Sequence, residues 1–111
     1  MKKNYKGIWF YGLSGSGKTY ISKVISKKVS NTILVDGDNV RKLVSYDLGY
    51  SKKDREVQIN RIFGICKIII NSKKIPIASS VYFNNELNLK CRKIGILPIK
   101  IERKSFHKII K

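Results

Sequence analysis

The stretch Gly12-Leu13-Ser14-Gly15-Ser16-Gly17-Lys18-Thr19 limits what this chain can fold into more than any other. It satisfies the phosphate-binding pattern G-x-x-x-x-G-K-[ST] at every fixed position. Glycines there let backbone N–H groups turn inward and crowd a polyphosphate, where a Cβ would obstruct. Lys18 brings a point charge to the β- and γ-phosphates, and Thr19 offers a hydroxyl to Mg²⁺. The helix that starts at this point adds its positive dipole end to the same anion site. The flanks agree. Gly7-Ile8-Trp9-Phe10-Tyr11 is a short apolar run suited to a buried strand. After the loop, Ile21, Val24, Ile25 and Val29 recur at helical spacing. Strand, glycine loop and helix together imply an α/β chain with a P-loop NTPase-like three-layer fold, a parallel sheet and right-handed crossovers.

A second buried strand is expected at Thr32-Ile33-Leu34-Val35, running into Asp36-Gly37-Asp38-Asn39-Val40-Arg41. Carboxylates at the C-terminal end of a parallel strand sit where open α/β sheets bind ligands. Asp38 or Asn39 would equally suit the N-cap of a short following helix. Two aspartates at one strand end exceed what capping needs, so Asp38 and Asp36 are candidate site residues.

The remainder is less specific. Tyr46 to Ser51 reads as a loop. Ser51 and Asp54 have the spacing of a capping pair at the start of a helix expected to run to about Ser72. Its broad apolar face includes Val57, Ile59, Ile62, Phe63, Cys66 and Ile69. Ile75 to Val81 reads as a third strand, with Pro76 tolerable near its start or at an unpaired position. Asn84 to Lys93 looks helical, and Ile96 to Ile101 is a strand weakened by Pro98. Ser105 to Lys111 reads as a basic frayed helix or tail.

Charge needs an explanation: 24 Lys+Arg stand against 7 Asp+Glu, for a net +17. That balance favours anionic partners. The lysines are scattered, however, and no nucleic-acid recognition motif accompanies them, so a compositional bias is preferred to specific nucleic-acid binding. Cys66, Cys91 and His107 lack metal-ligand spacing, and Cys66 reads as a small core residue. Neither a signal peptide nor an apolar run of membrane-spanning length is visible, so a soluble, cytoplasmic protein is expected.

With these blocks in hand, the chain resembles the adenylylsulfate kinase (APS kinase) family. Three segments carry the likeness in order: Gly12 to Thr19, then Asp36 to Arg41, then Asp47-Leu48-Gly49-Tyr50-Ser51 with Asp54-Arg55. The resemblance covers roughly residues 6–93, giving a family-like domain over 1–94 and a basic segment over 95–111 without likeness. It implies transfer of the γ-phosphate of ATP to the 3′-hydroxyl of adenylyl sulfate, with ATP and Mg²⁺ as cofactors. It implies that Gly12, Leu13, Ser14, Gly15, Ser16, Gly17, Lys18 and Thr19 bind ATP, with Lys18 and Asp38 catalytic. Thr19 and Asp38 would hold Mg²⁺. Arg41 and Arg55 would bind the phosphosulfate group, Tyr50 would stack on the adenine, and Asp36 and Gln58 would complete the substrate site. The partner is a small nucleotide-like molecule, with neither specific nucleic acid nor membrane, and a homodimer is compatible with this reading.

The departures from the family pattern are specific. Gln58 stands where the family usually has asparagine, keeping the amide but reaching one methylene further. Tyr82 stands, by position, where the family commonly has a serine often named as a phosphorylated intermediate. No role is carried to Tyr82, Ser79 or Ser80. No lid segment of the family is recognisable after residue 94, so impaired transfer is expected. A kinase for another nucleotide-like acceptor, a non-catalytic nucleotide-binding fragment and a basic nucleic-acid module are the alternatives.

Overall fold

The computed structural model describes residues 4–102 apart from Ser14 and Ser16. The expected tail at 105–111, and the loop roles given to Ser14 and Ser16, fall outside the described residues. The elements run β1 (Gly7–Tyr11), α1 (Lys18–Lys28), β2 (Thr32–Asp36), α2 (Gly37–Leu43), α3 (Lys52–Asn71), β3 (Ile75–Ser80), α4 (Asn85–Ile94) and β4 (Ile96–Lys100). All sheet pairings are parallel, in the order β2-β3-β1-β4.

Strand alternation sorts the core into two layers. Phe10 and Ile77 point to the face covered by α1, where they meet Ile21 and Ile101. Trp9, Val35, Ala78 and Ile96 point to the other face, where α3 and α4 supply Ile59, Ile62, Cys66, Leu87 and Cys91. This is the three-layer arrangement expected from the sequence. The crossover from β1 through α1 to β2 moves one way along the sheet. The crossover from β3 through α4 to β4 moves the other way. A cleft therefore opens at the C-terminal ends of β1 and β3.

Both prolines fit because of where their missing N–H groups fall. Ile75 N–H donates to Asn31 O, so Pro76 turns its nitrogen toward β1. Pairing between β1 and β3 begins one step later, at Ile8 opposite Ile77, so Pro76 interrupts no ladder bond. Gly7 makes room for the ring: a Cβ there would lie 2.8 Å from Pro76 Cγ. In β4, Ile101 N–H donates to Tyr11 O at 2.8 Å. By alternation Pro98 faces away from β1, toward the open side of an edge strand. Pro98 thus leaves the strand intact, and β4 extends the sheet past residue 94, where the family-like domain was expected to end.

The helix ends explain the boundaries. Ser51 Oγ accepts from Asp54 N–H at 3.1 Å, as expected of the capping pair. The Asp54 carboxylate instead accepts from Gly49 N–H at 2.8 Å, so it closes the preceding loop rather than returning to Ser51. Asn84 Oδ1 caps α4 through Leu87 N–H. Neither Asp38 nor Asn39 caps α2: the N-cap is Asp36, whose side chain accepts no bond from the helix start, and Asp38 lies inside the first turn. At the end of α3, Lys73 adopts φ 65° while Lys74 N–H bonds Ile69 O and Lys73 N–H bonds Ile70 O. That paired geometry stops the helix at its C-cap Ser72, where the sequence placed its end.

Cys66 and Cys91 lie on α3 and α4 in one apolar cluster, both fully buried. Burial pushes the Cys66 thiol up to about 12, with the neighbouring Cys91 adding to the effect. Burial likewise pushes Cys91 up to about 12, against the charges of Lys90 and Arg92. The folded values exceed an unfolded thiol value of about 8.5, so the folded state holds these protons longer. Their contribution to stability is therefore complete below about pH 8.5 and is lost as pH climbs toward the folded values. At pH 8 both thiols should resist a thiol-reactive dye until the chain is unfolded in denaturant. Reaction of the native chain at the rate of free cysteine would contradict the packing.

Candidate functional site

β1 delivers the chain to the mouth of the cleft at Tyr11, and the glycine loop turns it into α1. Gly15 and Gly17 hold φ 80° and 103°, a region that strains any side-chain-bearing residue. Gly17 is the N-cap of α1 and makes no side-chain cap bond, so backbone N–H groups are presented at the helix start. Lys18 Nζ donates to Gly12 O at 2.6 Å and to Leu13 O at 2.9 Å, curling the side chain over its own loop. Partial burial lowers the Lys18 pKa, while the negative charges of Asp38 and Asp36 pull it back up. The carboxylates at the end of β2 thus reach the P-loop lysine electrostatically, as the strand-end position implied.

The turn after β2 is held from two sides. A Cβ at Gly37 would lie 2.7 Å from Ser79 O, so α2 begins against the bare backbone of β3. Ser79 Oγ donates to Asp36 Oδ1 at 3.2 Å. From α3, Gln58 Nε2 donates to Gly37 O at 3.1 Å. Asp36 is therefore partly engaged in structure, and Asp38 stands exposed at the cleft.

Arg41 and Tyr50 form a unit. The guanidinium carbon lies 4.2 Å from the centre of the Tyr50 ring, and Nη1 donates to Gly49 O at 3.0 Å. One face of the ring is backed by the cation, and the residue remains 70% exposed, so the other face can receive a flat ligand. The Arg55 guanidinium has no hydrogen-bond or ion-pair partner among the described residues, which leaves its donors available to an anion.

One cleft of about 790 Å³ gathers Gly15, Gly17, Lys18, Thr19, Asp36, Asp38, Arg41, Tyr50, Arg55 and Gln58. Leu13 is 78% exposed, and neither it nor Gly12, which is buried, is among the residues that line this cleft. Gly12 contributes its carbonyl to Lys18 instead.

The sequence carried no role to Ser79, Ser80 or Tyr82, yet all three, with Val81, line the cleft. Ser80 is tied on both sides, accepting from Trp9 Nε1 at 2.9 Å and donating to Tyr82 O at 2.8 Å. The position of Ser79 and Ser80 at the C-terminal end of a strand beside β1 was the available signal. Arg61 was also missed; it pairs with Asp47 at 2.7 Å, holding the loop before α3. No group of three or more His, Cys, Asp or Glu residues able to hold a metal occurs among the described residues. None of the described helices is long and apolar enough to cross a membrane.

Comparison with known proteins follows the same residues. The family model for adenylylsulphate kinase matches residues 5–101, which carries the likeness through β4. The adenylyl-sulfate kinase of Clostridium kluyveri is 41% identical over 78 residues, covering 67% of this chain and 39% of that protein. That of Buchnera aphidicola is 37% identical over 103 residues, covering 86% of this chain and 49% of that protein. The chain therefore spans less than half the length of these curated relatives. Among solved structures, the Mycobacterium tuberculosis APS kinase CysC in complex with AMPPNP and APS superposes with a TM-score of 0.69 at 28% identity. It covers 89% of this chain and 62% of that one. A hexameric APS kinase from Thiobacillus denitrificans gives 0.72 at 24% identity, over 90% of this chain and 23% of that one, and supports the fold alone. Motif, P-loop fold and family match agree: the chain belongs to the adenylylsulphate kinase family.

Proposed function

We propose that this chain binds ATP and Mg²⁺ and transfers the γ-phosphate to the 3′-hydroxyl of adenylyl sulfate. The observation that carries the proposal is the convergence of two half-sites in one cleft. Lys18, Thr19, Asp36 and Asp38 form one half, and Arg41, Tyr50, Arg55 and Gln58 form the other. The related structure with AMPPNP and APS supports the same pair of ligands.

The residues fit the cofactors. The Gly15 and Gly17 backbone opens a cradle that a side chain would strain, at a helix N-terminus suited to phosphate. The Thr19 hydroxyl and Asp38 carboxylate are hard oxygen donors. Mg²⁺ commonly takes one or two protein oxygens and completes its shell with phosphate and water, so a larger acidic cluster is not required. Bound there, the metal supplies charge neutralisation at the phosphates. Lys18 exchanges its two loop carbonyls for phosphate oxygens, a stronger charge-assisted contact. Asp38 accepts the proton of the acceptor hydroxyl. Arg41 holds both the acceptor anion and the back of the Tyr50 ring, so one side chain sets the distance between the two recognition points.

Lys18→Ala should raise the Kd for ATP at least tenfold by calorimetry, because it removes the charge facing the β- and γ-phosphates. Unchanged affinity would refute the ATP site. Asp38→Asn should lower transfer from labelled ATP to adenylyl sulfate by about 10²–10⁴-fold while ATP affinity stays within about threefold. Asparagine keeps the shape but neither takes the proton nor adds negative charge. Intact ATP binding in a wild-type chain that transfers nothing would assign the chain to nucleotide binding without catalysis.

A further inference from the structure

The fold gathers cations that lie scattered along the chain. In a parallel sheet every strand is entered from the same end. The four entries are level here, with Thr32 opposite Ile75, Ile8 opposite Ile77 and Gly7 opposite Ile96. Basic residues precede each of them. Lys27 and Lys28 end α1 before β2, Lys73 and Lys74 precede β3, Lys6 precedes β1, and Arg92 and Lys93 end α4 before β4. All seven are exposed. Backbone bonds tie the entry turns together: Ile75 N–H donates to Asn31 O, and Lys6 N–H donates to Gly95 O. No Asp or Glu lies in these turns. Asp36, Asp38 and Glu102 follow strand ends, Asp54, Glu56 and Glu86 open α3 and α4, and Asp47 is taken by Arg61. None of the seven cations has an ion-pair partner among the described residues. Helix dipoles account for part of the pattern, since cations suit helix C-termini. The three helices that end here carry only about half a negative charge each at that end, which leaves most of the positive charge unbalanced.

We propose that this basic ridge, at the end of the sheet away from the cleft, docks on the phosphate backbone of a nucleic-acid duplex without reading its bases. Charge density carries the argument. Four strands at about 4.8 Å spacing make a row about 14 Å long. Seven cations along it give roughly one charge per 2 Å, against one per about 1.7 Å of duplex axis. Ser30, Asn31, Asn71 and Ser72 stand exposed among the lysines, and hydroxyl and amide groups of this kind contact phosphate and sugar oxygens. A second copy of the chain, itself at +17, is repelled by the ridge. Strands of this length separate the ridge from the cleft by about 17 Å, so both can be occupied at once.

The test titrates the whole chain into two labelled duplexes of unrelated sequence and follows fluorescence anisotropy across a salt series. Wild type should bind both alike, with log affinity falling linearly as log salt rises. In the variant combining Lys27→Gln, Lys28→Gln, Lys73→Gln and Lys74→Gln, the slope should fall by about 0.9 for each lysine that meets a phosphate. Affinity at about 50 mM salt should drop about tenfold or more. A second variant, combining Lys6→Gln, Arg92→Gln and Lys93→Gln, samples the other end of the ridge and should also lower the slope, so the test stands even where the first folds poorly. Circular dichroism reports the fold of each. A control combining Lys42→Gln, Lys52→Gln, Lys53→Gln and Lys100→Gln removes as much charge as the first variant from exposed positions away from the ridge, and should keep the wild-type slope. An equal fall in the control means that net charge acts without a site, which overturns the proposal. It is likewise overturned by a wild type that binds neither duplex or strongly prefers one. A ridge variant that loses binding only to vesicles of equal parts phosphatidylserine and phosphatidylcholine assigns the ridge to a lipid surface instead, and overturns it too.

Discussion

A carbonyl oxygen leaves no room for a side chain at Gly37, and the geometry of the cleft depends on that contact. Because Ser79 O approaches so closely, α2 starts directly on the backbone of β3. Asp36 and Asp38, on either side of the glycine, are set by the sheet rather than by a loop of their own. Gln58 closes the arrangement from α3. Three elements distant in sequence therefore meet at one peptide, and each contributes rigidity that a surface turn would lack. Sites built on strands and helices hold their geometry more tightly than sites on loops.

Electrostatics in the cleft follow from that placement. Burial works against the charge on Lys18, and the two aspartates at the end of β2 work for it. The lysine is held in the meantime by the carbonyls of Gly12 and Leu13. In the same cleft, Arg41 divides its guanidinium between Gly49 O and the Tyr50 ring, and those two contacts fix its position. A preset cation costs less side-chain entropy on binding than a free one. The overall +17 charge makes the surrounding potential positive without distinguishing one anion from another.

Much of the architecture was readable because its signals are local. The apolar run Gly7–Tyr11 and the spacing of Ile21, Val24 and Ile25 are each short-range patterns, and each formed the expected element. The Ser51 cap was readable for the same reason. Capping stayed open as an alternative for Asp38 and Asn39, since a cap and a ligand carboxylate look identical until the helix start is known; the helix starts earlier than that alternative needed. Pro98 seemed to weaken its strand because the direction of its missing N–H depends on which neighbour the strand has. Arg61, Ser79 and Ser80 were given no role from the sequence, because their partners lie far away in the chain.

The amino-acid sequence by itself determined the chemistry available here: a phosphate cradle, a lysine, paired carboxylates, two arginines and an aromatic ring. These are properties of residue type at fixed short spacing. Tertiary structure decided how that chemistry is shared out. It committed Asp36 to Ser79 and left Asp38 open to the cleft. It placed Arg41 behind Tyr50, and turned Gln58 so that one end of its amide holds a backbone carbonyl. The physical reason is that hydrogen bonds and burial are assigned by spatial neighbours, and in a parallel sheet with strand order β2-β3-β1-β4 those neighbours are far apart along the chain.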